Sequence, residues 1–244
     1  MAGRCFHLQA RIPMLRMQGV SKVFQVGEVM THALRSIDLS VQEGDFLSIT
    51  GPSGSGKSTL LNILGLLEGF SGGHYAIGGV DVGGMRDAAL SALRNEKIGF
   101  VFQAFNLIPD LTIQANVEVP LRYRGMAAAE CRQRVASALA QVGLGSRMSH
   151  YPGELSGGQQ QRAAIARAIA GTPALLLADE PTGNLDSQMS QGVMEILREL
   201  NQGGMTIIMV THDKELAACA GRSVHIVDGQ IVEVTAQAMQ ALCA

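Results

Sequence analysis

The stretch Gly51-Pro52-Ser53-Gly54-Ser55-Gly56-Lys57-Ser58 decides the fold. It matches the pattern G-x-x-x-x-G-K-[ST], and it lies between a short apolar run, residues 46–50, and a helix-like segment, residues 59–67. A strand before this pattern and a helix after it are the context in which it forms a phosphate-binding P-loop. The glycines let backbone N–H groups turn toward phosphate oxygens, and the following helix directs its N-terminus at the same anion. The stretch therefore predicts an α/β P-loop NTPase.

The parts of this loop have separate predicted roles in binding ATP and Mg²⁺. Lys57 would reach the β- and γ-phosphates, and the Ser58 hydroxyl would bind Mg²⁺. The other residues of the predicted nucleotide site in this region are Gly51, Pro52, Ser53, Gly54, Ser55, Gly56 and Thr59. A chance glycine-rich turn is the alternative, and the strand and the helix on either side favour the nucleotide site.

A second apolar run, residues 174–178, ends in two carboxylates, Asp179 and Glu180. Doubly wound sheets bind their ligands at the carboxyl ends of the strands, where these side chains would lie. Asp179 can hold Mg²⁺, and Glu180 can accept a proton from an attacking water. Taken alone, such a strand end is often a solvated turn. A P-loop in the same chain favours the catalytic interpretation.

A second phosphate-binding pattern is Leu155-Ser156-Gly157-Gly158-Gln159, which precedes a predicted helix over residues 159–170. Ser156, Gly157 and Gly158 can offer a hydroxyl and amide N–H groups to an anion at the start of that helix. The structural alternative is a helix cap next to a flexible glycine turn. The chain thus carries two helix starts suited to phosphate, although a single ATP does not need both.

Together these motifs resemble the nucleotide-binding domain of ABC transporters over residues 14–234. The P-loop, the strand with Asp179 and Glu180, and residues 155–159 are similar to the Walker A, Walker B and signature sequences of that family. The resemblance implies that two chains pack head to tail as a homodimer. Each ATP would then lie between the P-loop of one chain and residues 156–159 of the other, Gln159 included.

The same resemblance implies roles for four further residues. Gln103 matches the Q-loop glutamine that contacts Mg²⁺, and His212 matches the switch histidine at the γ-phosphate. Asp186, in Asn184-Leu185-Asp186-Ser187, is similar to the D-loop aspartate at the dimer interface. Phe24 would be the aromatic residue that stacks on adenine, with a buried core position as its alternative.

The subfamily is narrower still, because residues 100–112, 116–121 and 178–186 resemble the macrolide-exporter and lipoprotein-releasing group. This implies a peripheral ATPase on the cytoplasmic side of the inner (plasma) membrane, acting on a permease with an extracytoplasmic domain. The work would be export, lipoprotein release or mechanotransmission, and the substrate stays open. The given sequence ends at Ala244 without membrane helices, so we expect a separately encoded permease.

Composition limits the other classes of function. A net charge of -2 gives no reason to expect a nucleic-acid partner, and the four scattered cysteines favour free thiols over a disulfide framework. The alternative class is a soluble ABC ATPase acting on ribosomes or DNA. Its members usually carry two such domains or coiled-coil insertions, neither of which is evident. A module that binds ATP without hydrolysis would need a replacement at Glu180 or His212, and both are present.

Alternating strands and helices predict a mainly parallel core sheet, with an N-terminal antiparallel part. A helical subdomain is predicted as an insertion over about residues 104–160, including one helix at residues 121–143. Residues 1–13 and 235–244 are predicted to be an N-terminal extension and a C-terminal tail around the domain at residues 14–234. Five apolar residues follow the core strand in this subdomain. We expect the first to be core and the rest to be candidates for a partner groove: Phe102, Phe105, Leu107, Ile108 and Leu111. The alternative is that all five only pack together within the helical subdomain.

Overall fold

The computed structural model of the protein describes residues 12–236. Its elements follow the chain in this order: β1 (Leu15–Val26), β2 (Val29–Val41), β3 (Phe46–Thr50), α1 (Lys57–Leu64), β4 (Gly72–Ile77), β5 (Val80–Asp81), α2 (Asp87–Lys97), β6 (Ile98–Val101), α3 (Ile113–Tyr123), α4 (Ala128–Gln141), α5 (Gly157–Ile169), β7 (Leu175–Asp179), α6 (Ser187–Gln202), β8 (Thr206–Val210), α7 (Lys214–Ala217), β9 (Arg222–Val227) and β10 (Gln230–Ala236).

A six-stranded sheet in the order β10-β9-β3-β8-β7-β6 forms the centre of the fold. Only β10 runs antiparallel to its neighbour, so the prediction of a mainly parallel core sheet is confirmed. Strand β8 is buried throughout, and β3 and β7 are buried except at their last residue. Such strands are continuous apolar runs because helices or a second sheet cover both of their faces.

The two faces of this sheet belong to separate hydrophobic cores. Along β7, Leu175 and Leu177 pack with α1 and the N-terminal strands, whereas Leu176 and Ala178 pack with α3 to α6. Successive side chains of a strand point to opposite faces, which is how one short strand serves both cores. Because side chains on both faces of β7 are buried, the position of the strand along its own axis is fixed. The position of Asp179 at its end is therefore fixed as well.

An antiparallel sheet in the order β2-β1-β4-β5 covers one face of the core sheet, as the sequence predicted. In β1, Leu15 and Met17 are buried and Arg16 and Gln18 are exposed, which is the alternation expected of a sheet with one solvated face. The elements β4, β5 and α2 were missed from sequence. The α2 helix buries none of its residues fully, and only its partly buried Leu90 and Leu93 pack against a core.

One helix predicted in the segment around residues 104–160 differs from the structure. The single helix predicted over residues 121–143 is wrong, because α3 and α4 are two helices joined at Gly125. Gly125 has φ +66°, a left-handed conformation that ends a helix and that glycine adopts most easily. The start of α3 is capped by Thr112, whose side chain accepts a hydrogen bond from Ala115 N–H.

Two further expectations are corrected or fall outside the structure. Phe102 is not core: it is half-buried, and its ring stacks on Phe100 with centroids 5.6 Å apart. Of the predicted extension and tail, residues 1–11 and 237–244 lie outside the described residues, and β10 continues to Ala236. Among residues 12–236, no helix is both long and apolar enough to cross a bilayer.

Candidate nucleotide site

A cavity of about 540 Å³ lies over the loop between β3 and α1. Predicted site residues that line it are Gly51, Ser53, Gly54, Gly56, Lys57, Ser58, Thr59, Glu180 and His212. Residues missed from sequence that also line it are Thr31, His32, Ala33 and Val210. Three of the missed residues lie on β2, and only the pairing of β2 within the fold reveals that they lie over the loop.

Glycine is required at two positions of this loop by close packing. A Cβ on Gly51 would lie 2.1 Å from the Ile226 carbonyl oxygen, and a Cβ on Gly56 would lie 2.5 Å from that of Ala33. Both residues also have positive φ, +149° and +102°. The loop therefore packs directly against β9 and β2, and a side chain at either position would clash with their backbone. Glycine at both positions keeps the loop as a narrow backbone cradle.

The ammonium group of Lys57 is held over the cradle. It donates to the carbonyl oxygens of Gly51 at 2.9 Å and Pro52 at 2.7 Å. Ser55 is buried, and its Oγ has no hydrogen-bond partner within the described residues. A fixed positive charge, a hydroxyl at the start of α1 and the narrow backbone cradle are the groups that a chain of phosphates requires.

The two acidic residues at the end of β7 differ in environment. Burial raises the pKa of Asp179, the nearby charge of Glu180 raises it further, and Lys57 opposes the change. A cation beside Asp179 would relieve this cost. Asp179 does not line the cavity itself, whereas Glu180 does.

Glu180 is held in a left-handed backbone conformation with φ +44°. Its N–H donates to the Val210 carbonyl at 2.9 Å, and its carbonyl accepts from Gly183 N–H at 3.0 Å. The side chain is fixed as well, because its Oε1 lies 3.0 Å from Nδ1 of His212. A non-glycine residue keeps such a conformation only where its surroundings determine it, which is common at functional sites.

The structure does not bring the second phosphate-binding pattern to this cavity. Ser156 caps α5, its Oγ accepting from Gln159 N–H at 3.4 Å while Gln159 Oε1 accepts from Ser156 N–H at 3.0 Å. Gly158 is buried, and a Cβ there would lie 3.0 Å from Met189 Cγ. Gly157 is half-buried and Ser156 is exposed. The helix start thus presents its exposed end on a surface separate from the P-loop cavity.

Besides Asp179 and residues 156–159, the predicted site residues outside the cavity lining are Pro52, Ser55, Gln103, Asp186 and Phe24. Gln103 forms a reciprocal amide pair with Asn184: its Nε2 donates to Asn184 Oδ1 at 3.3 Å, and Asn184 Nδ2 donates to the Gln103 carbonyl at 3.0 Å. Asp186 caps α6 by accepting from Met189 N–H at 2.8 Å. Phe24 is 38% exposed and pairs across the hairpin with Thr31, which lines the cavity.

The donor set fits Mg²⁺ only together with a nucleotide. Among residues 12–236, no group of three or more His, Cys, Asp or Glu side chains is arranged to hold a metal ion. Mg²⁺ in nucleotide sites commonly has one or two carboxylates and takes its other ligands from phosphates and water. Asp179 and the Ser58 hydroxyl, beside a phosphate cradle, match that requirement.

Comparison with known proteins identifies the family. The family model described as ABC transporter matches residues 34–183. An uncharacterized ABC transporter ATP-binding protein, YknY of Bacillus subtilis, is 48% identical over 219 residues, which cover 90% of this chain and 95% of that protein. The macrolide export ATP-binding/permease protein MacB of Marinobacter nauticus is 48% identical over 227 residues. This match covers 93% of the present chain but only 35% of MacB.

Solved structures agree with the sequence matches. The dimeric structure of MJ0796, a bacterial ABC transporter cassette, superposes with a TM-score of 0.84 at 42% identity, covering 92% of this chain and 99% of that one. A second structure of the same cassette, a dimeric post-hydrolysis state bound to ADP and Pi, superposes equally well. The chain therefore belongs to the ABC transporter family, and it is an ATP-binding and ATP-hydrolysing cassette.

Proposed function

We propose that two copies of the chain enclose MgATP and drive a membrane permease of the macrolide-exporter and lipoprotein-releasing type. The observation that carries the proposal is the separation of the two phosphate-binding helix starts. The cavity over the P-loop holds Lys57 and Ser58, while Ser156 lies exposed on another surface. A second copy packed head to tail would bring its own residues 156–159 over the P-loop cavity of the first. The dimeric cassettes among the structural relatives support such an arrangement.

Each predicted residue has a role in this composite site. Glu180 accepts the proton of the attacking water, and His212 orients that carboxylate and reaches toward the γ-phosphate. Lys57 neutralises charge on the β- and γ-phosphates, and Phe24 stacks on adenine. Mg²⁺, when bound, supplies charge neutralisation between the β- and γ-phosphate oxygens. Ser58, Asp179 and Gln103 would hold it. Residues 156–159 and Asp186 face the second copy.

A groove of about 690 Å³ beside the Q-loop segment is the proposed docking site of the permease. We define this permease groove by its apolar floor, Phe100, Phe102 and Pro120, together with Tyr123, whose side chain is 83% exposed. The earlier candidates Phe105, Leu107, Ile108 and Leu111 do not line the groove. Leu107 instead packs against the core of the helical subdomain.

Charge indicates what the permease groove binds. Arg94, Arg124 and Arg167 line it, and none of its lining residues is acidic. Burial lowers the pKa of both Arg124 and Arg167, although the charge of Glu96 opposes the change at Arg124. Both side chains donate mainly to backbone carbonyls, which do not neutralise their charge. An anion reaching the groove would restore the solvation that these guanidinium groups have lost. We therefore expect a short permease helix with apolar side chains and at least one carboxylate.

This partner places the chain at the cytoplasmic face of the inner membrane. The exporter relatives named as combined ATP-binding and permease proteins support a membrane partner of the permease type. That this partner carries an extracytoplasmic domain is part of the proposal. The relative named as an ATP-binding protein, matched over 95% of its own length, supports a subunit of this size acting on a separate permease. Export, lipoprotein release and mechanotransmission are all compatible with such a machine.

Recovery of the tagged chain from membranes tests the proposal. We expect an integral membrane protein to co-purify with it, and we expect the purified chain to hydrolyse ATP with Mg²⁺ and to lose activity when EDTA removes the metal. A chain that hydrolyses ATP but is recovered without any membrane protein would contradict the permease part of the proposal. The nucleotide part would stand.

A further inference from the structure

Gln161 is a fully buried polar side chain that the nucleotide site does not use. It lies on α5, five residues after the capping residue Ser156, and its relative exposure is 0%. A buried amide is retained only if its hydrogen bonds serve folding or function, because burying polar groups is unfavourable unless they are paired. The partners of Gln161 show which of these it serves.

The amide nitrogen of Gln161 holds two loops at once. Its Nε2 donates to the Pro181 carbonyl at 2.6 Å and to the Phe102 carbonyl at 3.3 Å. Both partners are carbonyl acceptors, so the nitrogen must face them. Pro181 directly follows Glu180, and Phe102 directly precedes Gln103. One side chain on α5 therefore fixes the backbone beside the catalytic carboxylate and beside the Q-loop glutamine.

The other half of the amide has no partner among the described residues. The Oε1 atom of Gln161 is buried and makes no hydrogen bond within them. A buried atom of this kind calls for a specific explanation, such as a bound water, a strained site or a functional site.

The link reaches a backbone that is already constrained. Glu180 has φ +44°, and the turn after it depends on the Gly183 N–H bond and on the bond from Gln161 to Pro181. The exposed Asn184 reinforces the connection by holding the Gln103 carbonyl at 3.0 Å. A shift of α5 would therefore move the Glu180 turn and the Q-loop segment together.

We propose that Gln161 is a positioning residue that connects the signature helix to the catalytic base. This rests on the proposed function, in which the start of α5 contacts the ATP bound by a second copy. When the start of α5 contacts the ATP bound to the P-loop of the second copy, Gln161 fixes the position of the Glu180 turn in its own chain. That Glu180 acts on the ATP bound to the P-loop of its own chain. Binding of ATP at one site of the dimer thus affects the position of the hydrolytic residues at the opposite site.

The test separates turnover from binding in the purified full-length chain. Gln161→Met keeps the shape and removes the donor, and we expect kcat to fall by about tenfold or more because the base is displaced. The ATP concentration for half-maximal rate should change less than about twofold, because neither acceptor of the Gln161 amide lies in the P-loop, which supplies most of the predicted ATP contacts. Dimerisation on ATP, measured by size-exclusion chromatography in a Glu180→Gln background, should be preserved.

Gln160→Met is the matched control. Gln160 donates to Leu155 O at 3.0 Å, a bond to the residue just before the helix cap and not to the Glu180 turn or the Q-loop segment. The kcat of Gln160→Met should therefore remain near that of the parent protein. A second measurement is the double variant with Glu180→Ala, in which Gln161→Met should cause no further loss of the residual rate. An undiminished kcat in Gln161→Met overturns the proposal, and so does an additive loss in the double variant.

A purely structural effect has a different signature. If turnover and ATP-driven dimerisation fall together with the melting temperature, Gln161 serves the fold and the proposal is overturned. If Gln161→Met does not fold, Gln161→Asn decides, because it keeps a donor that is too short to reach both carbonyls. Reduced kcat with unchanged ATP dependence supports the proposal there, and unchanged kcat overturns it. Failure of the proposed function would be seen in a different measurement. The Glu180→Gln protein, with Gln161 intact, would then stay monomeric in the presence of ATP.

Discussion

The Nδ1 atom of His212 lies 3.0 Å from Oε1 of Glu180, at the cavity over the P-loop. The two residues follow different strands, β7 and β8, which are neighbours in the parallel sheet. The His212 side chain is 69% exposed and that of Glu180 is 24% exposed, so the carboxylate is the more sheltered of the two. The histidine thus lies over a carboxylate whose backbone the fold has already fixed, and which we propose as the base.

Replacing the base should separate ATP binding from hydrolysis. Glu180→Gln keeps the size of the side chain but cannot accept the proton of the attacking water. We expect ATP binding to persist while hydrolysis falls by about 10²–10⁴-fold, the usual contribution of general base catalysis. An ATP-bound dimer should accumulate, detectable by size-exclusion chromatography. Hydrolysis by Glu180→Gln near the parent rate would show that another group is the base.

Mixing two inactive variants tests the composite site. Lys57→Ala should weaken nucleotide binding in its own subunit, whereas Ser156→Arg should spare binding by the monomer and block closure of the dimer. A mixed dimer has one site with both lesions and one with neither, so some ATPase activity should return if one intact site suffices. Normal ATP-dependent dimers of Ser156→Arg alone would argue against the shared site.

The permease groove is tested by an exposed aromatic residue. Tyr123→Asp places a carboxylate on the exposed rim of the groove, where it would compete with an acidic permease helix for the arginines. We expect the soluble chain to keep its melting temperature and basal ATPase activity, while co-purification with the permease is lost. Tyr151→Asp is the matched control, because Tyr151 is 48% exposed and does not line the groove. Retained co-purification of Tyr123→Asp would remove this surface from the docking site.

Tyr75 provides a pH-dependent stability test. Its ring is buried, its hydroxyl donates to the Leu64 carbonyl at 2.7 Å, and burial raises its pKa far above the ordinary value. Tyr75→Phe should cost about 1 kcal/mol of unfolding free energy at neutral pH, the typical value of one hydrogen bond. As the pH rises above about 10, the tyrosine ionises only in the unfolded state, which destabilises the parent protein.

The stability difference between the parent and Tyr75→Phe should therefore narrow in alkaline solution. Urea unfolding at neutral pH and above about pH 10 measures both values. A difference that stays constant over this range would show that Tyr75 ionises equally in the folded and unfolded protein.

Local patterns predicted the elements whose backbone is most constrained. Strands β3 and β8 were predicted with their observed bounds, because each is a short, mainly apolar run between segments of polar residues and glycine. The P-loop could be predicted because the spacing of its glycines, lysine and serine is by itself specific for phosphate binding. The hairpin around Asp228 and Gly229 joins β9 and β10 as expected, with both residues at positive φ.

What the sequence did not predict depends on contacts between distant segments. Nothing in the composition of residues 31–33 indicates that they cover the P-loop, since only strand pairing brings them there. Gln161 follows two other glutamines and carries no local signal, and its importance appears only when its two acceptors are known. Phe102 was misplaced because an aromatic residue at the end of a buried strand can stack on its neighbour instead of entering the core.

The tight packing behind the P-loop has a consequence for how the molecule melts. Gly229 N–H donates to the Ser55 carbonyl at 3.0 Å, and its own carbonyl accepts from Arg35 N–H at 2.8 Å. The P-loop thus lies at the contact between the antiparallel sheet and the core sheet. A ligand seated there would have to be released before either sheet could separate from the other. Nucleotide should therefore delay the unfolding of both sheets together and merge any two thermal transitions into one.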